Sequence, residues 1–135
     1  MTRVTSRPSV AGRRTAAEPD MSPQVARFHR LLLSFPALKR AGRALIASDG
    51  DPWDQNDFVR WACCDASTQE QHAARFMLSL FDPNRDWSAY ARQELGIRDA
   101  ITHRVGPFDV IEAMGAWDKA NRAAFNNWAQ EPFWP

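Results

Sequence analysis

Apolar residues recur along most of this chain at steps of three and four, the spacing of one face of an α-helix. Strand-like alternation is nearly absent. The first such stripe is Val25, Phe28, Leu32 and Phe35. It follows Ser22-Pro23, a serine N-cap with proline at the first helical position. Pro36 stops that helix and opens a second, with Leu38, Ala41, Leu45 and Ile46 on one face. The segment Ser48 to Pro52 reads as a turn, with Asp51 capping a third helix, Pro52 inside it, and Phe58, Trp61 and Ala62 facing inward. Ser67-Thr68-Gln69-Glu70 matches a capping box and precedes a fourth stripe of Ala73, Phe76, Met77, Leu80 and Phe81. Asp82-Pro83 breaks it. A shorter helix from about Asp86 to Leu95 closes at Gly96, a left-handed C-cap.

The spacing then predicts one long C-terminal helix. Gly106-Pro107 starts it, and Val110, Met114, Trp117, Asn121, Ala124 and Trp128 form a four-three stripe with Asn121 as its one polar break, widened by Ile111 and Phe125. Up to Pro132 such a helix is about 33 Å long at ~1.5 Å per residue. Phe133-Trp134-Pro135 is expected to fold back as a lid. The fold class is therefore all-α: a single compact bundle of about five or six helices spanning 22–135. Residues 1–21 read as a disordered basic tail, since no apolar periodicity precedes Val25 and no acid precedes Glu18.

Composition narrows the class. A chain of 135 residues that is 44% hydrophobic is large enough to bury one core. No run approaches the ~18 apolar residues of a membrane span, so no membrane role is expected. Six tryptophans and eight phenylalanines against one tyrosine point to a core of large rings. The two cysteines, Cys63 and Cys64, are adjacent. Their Cα atoms, ~3.8 Å apart, lie below the usual ~4.4–6.8 Å of a disulfide, which favours two reduced thiols and a cytoplasmic location.

Charge is unevenly divided. Residues 1–45 carry nine basic and two acidic side chains, and 46–135 carry eight and fourteen. Arg27 and Arg30 on the first helix, with Lys39, Arg40 and Arg43 on the second, form a candidate basic face that phosphates would recognise. Trp53, Trp87, Phe133 and Trp134 sit at helix starts or in the tail, where burial is least assured. They form a candidate aromatic surface of the kind that anchors protein interfaces.

Enzyme signatures are missing. His29, His72, His103 and the cysteines lack the paired spacing of a zinc module. The acid-rich turn at Asp49, Asp51, Asp54 and Asp57 fails the EF-hand pattern, with Trp53, Asp54 and Arg60 where a ligand, glycine and glutamate belong. No phosphate-binding glycine loop or nucleophile elbow occurs. The sequence thus predicts a small protein-binding or adaptor domain acting without catalysis, cofactor or metal on a protein partner still to be identified. The alternative is a nucleic-acid-associated protein using the basic face.

Overall fold

A computed structural model describes residues 21–135; the expected basic tail lies outside the described residues, apart from Met21. The chain is all-α, with seven α-helices and two 3-10 segments among the described residues. The first helix, α1 (Pro23–Ser34), starts as expected, with Ser22 Oγ accepting from the Val25 amide at 3.2 Å. Phe28, Leu32 and Phe35 are fully buried.

The second element departs from expectation. Pro36–Leu45 is a 3-10 helix interrupted at Gly42, whose φ of 57° few other residues adopt. Its buried residues are Leu38, Ala41 and Ala44, three apart, which is the repeat of a three-residue turn. Ile46, assigned to the inner face by an α-helical count, is 66% exposed.

The next helix also starts later than predicted. Ser48 and Asp51 exchange backbone hydrogen bonds across the turn at 2.9 and 3.0 Å, with Gly50 at φ 82°. Pro52 and Trp53 are tucked into the core before Asp54 caps α2 (Gln55–Cys64). Helix α3 (Thr68–Phe81) begins at the expected capping box, in which the Ser67 amide donates to Glu70 Oε1 at 2.7 Å. It supplies Ala73, Phe76, Met77 and Leu80 to the interior. Asp86 caps the short α4 (Trp87–Gln93), and Gly96 follows at φ 66°. A one-turn α5 (Asp99–Thr102) runs into a 3-10 turn at His103–Val105.

The long C-terminal helix is not formed. It is two helices, α6 (Val110–Ala116) and α7 (Lys119–Gln130), separated by extended backbone at Trp117 and Asp118. The break serves two local interests. Trp117 becomes fully buried, and its Nε1 donates to the Gln69 carbonyl at 3.1 Å. Asp118 caps α7, its Oδ1 accepting from the Asn121 amide at 3.0 Å. Arg122 Nε donates to the Trp117 carbonyl at 3.0 Å.

The core contains two aromatic clusters strung between α1 and α3. In one, Trp53 packs against Phe28, Phe58 and Phe81 with ring centroids 4.6–5.1 Å apart. In the other, Phe76 meets Phe35, Phe108, Phe125 and Trp128 at 5.0–5.8 Å. Such pairs add about 0.5–1.5 kcal/mol each beyond area burial. The second cluster lies where α7 and the tail meet the bundle.

Candidate functional site

Two short helices and the tail shape the end of the second cluster. Phe108 precedes α6, Phe125 and Trp128 sit one turn apart on α7, and Phe76, Ser79 and Leu80 come from α3. With Trp134 they line a notch of about 200 Å³. Apart from the indole N–H groups, Ser79 is its only polar side chain. The tail is turned back toward the bundle by a hydrogen bond from Trp128 Nε1 to the Phe133 carbonyl, 3.0 Å. Trp134 then meets Trp128 edge to face at 5.7 Å and remains 59% exposed.

Beside the notch, on a wall also lined by Trp128, is a slot of about 260 Å³ formed by Arg27, Arg30, Leu31, Asn127, Glu131 and Phe133. The Arg27 guanidinium stacks on the half-buried Phe133 ring, 4.1 Å from its centroid. This contact joins one residue of the expected basic face to one of the expected aromatic surface. The lid expectation therefore holds for Phe133, which packs on the core, and not fully for Trp134.

The remaining predicted site residues lie elsewhere. Arg40 forms a two-pronged ion pair with Glu70, Nε to Oε2 and Nη2 to Oε1, both 2.8 Å, and also donates to the Asp65 carbonyl at 2.9 Å. Lys39 is exposed on the 3-10 helix. Arg43 borders the clefts beside Asp51, Asp54, Asp57 and Asp65. The structure thus brings Arg27 and Arg30 together and leaves Arg43 beside acids. Trp53 and Trp87 are buried, at 3% and 4% exposure, and do not belong to a surface. Trp53 is enclosed by phenylalanines, and Trp87 Nε1 donates to the Leu78 carbonyl at 2.9 Å. Each position lies at a helix start by sequence and beneath a neighbouring element in space.

Within the acidic turn, Asp54 is the helix cap. Asp54 Oδ1 accepts from the Asp57 amide at 3.1 Å, and Tyr90 Oη closes one side of the cleft through Asn56 Oδ1 at 2.6 Å. Among the described residues no three His, Cys, Asp or Glu side chains are grouped to hold a metal ion. Cys63 is buried and its thiol is pushed up to about 11, chiefly by burial and next by Cys64; Cys64 is exposed, and both are free. His72 is buried, with Nδ1 unpartnered. Burial is the main cause holding its pKa low; Arg75 adds to this, and Glu112 and Asp109 oppose it.

Sequence reading singled out Trp134 but not the notch beside it. Phe76, Phe125 and Trp128 were legible as inward-facing residues, and Phe108 carried no periodic signal. Their convergence depends on the break between α6 and α7. No family model, curated protein or solved structure matches the chain.

Proposed function

We propose that this chain is a small protein-binding domain that receives a partner side chain in the notch of Phe76, Phe108, Phe125, Trp128 and Trp134. The observation that carries the reading is an open aromatic hollow beside an exposed tryptophan. Its roughly 200 Å³ volume is smaller than the ~300–1,000 Å³ of small-molecule sites and suits one bulky side chain. The lining offers carbon surface and no acid, base or thiol, which supports binding without catalysis. Tryptophan-centred hollows of this kind supply a large share of interface energy. The free thiols of Cys63 and exposed Cys64 support a reducing, cytoplasmic setting. Among the described residues no helix is long and apolar enough to cross a membrane.

The nucleic-acid alternative has less to draw on, because Arg40 is committed to Glu70 and Arg43 lies beside acids. The test is a photo-cross-linking amino acid placed at exposed position 135, beside the intact notch, and, as a control, at exposed position 93. In native cells a discrete adduct is expected from 135 alone, lost when Phe125→Asp fills the notch with charge. Equal labelling from both positions, or an adduct indifferent to Phe125→Asp, overturns the proposal.

A further inference from the structure

We infer that the partner segment carries a bulky apolar anchor followed, about two residues later, by carboxylates, and that Arg27 and Arg30 select it by charge. This inference rests on the notch being the docking site and adds the chemistry of its occupant. The notch and the slot share Trp128, so an anchor in the first places the adjoining residues of the same segment across that indole, over the second. One ring width is spanned by about two extended residues at ~3.3 Å each. The slot presents two guanidinium groups against the single carboxylate of Glu131. No described acid pairs with either arginine: Arg27 lies on the Phe133 face, and both are exposed. Arg27 is thereby held by the ring, with its outer edge still available to a carboxylate. Arginine presents a planar fork of donors matched to that group.

The selection is expected to be modest in size and sensitive to salt. Exposed ion pairs are individually weak, and two of them correspond to a preference of roughly two- to thirtyfold at low ionic strength. Beyond a Debye length of ~10 Å at 0.1 M salt, other charges on the molecule contribute little.

The experiment titrates the full chain with three synthetic ten-residue peptides, each bearing one phenylalanine anchor. Two residues after the anchor, one peptide carries Glu-Glu, the second Gln-Gln and the third Lys-Lys. The Glu-Glu peptide is expected to bind about tenfold more tightly than the Gln-Gln peptide, with the difference vanishing at high salt. Arg30→Glu, whose parent side chain contacts no described partner, is expected to remove most of that preference, and Arg27→Glu/Arg30→Glu to transfer it to Lys-Lys. Glu131→Gln is expected to strengthen Glu-Glu binding severalfold. Thermal melts verify that each variant is folded.

Equal binding of all three peptides, lost in Phe125→Asp, overturns the charge selection and leaves the notch proposal standing. Absence of any peptide binding overturns both. Duplex DNA that competes for the same arginines with greater affinity than the Glu-Glu peptide overturns the inference in favour of a nucleic acid. Concentration-dependent dimerisation abolished by Trp134→Ala overturns it in favour of a second copy of this chain.

Discussion

His72 and Glu70 lie two residues apart on α3, and both are buried, yet they respond to acid at different pH. Burial holds the His72 pKa below its usual value, so the folded state refuses a proton that the unfolded chain accepts. Its contribution to stability is complete above the unfolded value of ~6.5 and is lost as pH falls below it. Glu70 is held below its usual value first by the hydrogen bond from Arg40, with burial opposing and Ser67 assisting. Its contribution is complete above ~4.3 and is lost as pH falls through the depressed folded value. Urea denaturation across pH 3–8 is expected to show two descending steps. His72→Met flattens the step below about pH 6.5, and Glu70→Gln lowers stability at neutral pH and flattens the more acidic one. A single step left unchanged by His72→Met contradicts the assignment. The Ser67–Glu70 box was legible because both halves are encoded within four residues. The burial of His72 was not, since it depends on tertiary packing that no local spacing records.

The same distinction between local and distant information operates at the level of elements. Helix starts at Ser22, Ser67 and Asp86 were readable because a cap needs only its own turn. The break at Trp117-Asp118 was hidden because a four-three stripe continues through it without a gap. Only the Asp118 cap marks it locally. Packing decides the matter: Trp117 turns inward to Phe35 and Gln69, and Asn121 is 3% exposed, reaching back to the first 3-10 segment. There Asn121 Oδ1 accepts from the Ala37 amide at 2.9 Å, while Nδ2 donates to Asp118 Oδ1 at 2.9 Å. Asn121→Ala removes the Ala37 acceptor and is expected to cost about 1–3 kcal/mol. Asp118→Ala loses the cap and is expected to cost about 0.5–2 kcal/mol. Chemical denaturation of the two single variants and the double variant measures both costs. Because the residues share a network, the double variant should cost less than the two losses added together.

At the scale of the molecule, the two rings of the tail differ in burial. Phe133 is half-buried under Arg27 and Trp128, whereas Trp134 is mostly exposed. Phe133→Ala is expected to destabilise by about 1–2 kcal/mol, a part of the ~3–5 kcal/mol for a fully buried ring. Trp134→Ala is expected to stay within about 0.5 kcal/mol of the parent while weakening partner binding at least tenfold. Thermal denaturation beside a binding titration separates the two effects. The all-α class followed from periodicity alone, but the notch did not, because it joins α3, α7 and the tail only after the chain has turned on itself. The Ala37–Asn121 bond spans 84 positions, and Arg27 meets Phe133 across still more. On a ribosome adding about 5–20 residues per second, α1 emerges many seconds before α7 exists to cover it. The nascent chain therefore carries Phe35 without Trp117 until the residues between them have been translated, and the ring stays uncovered for that interval.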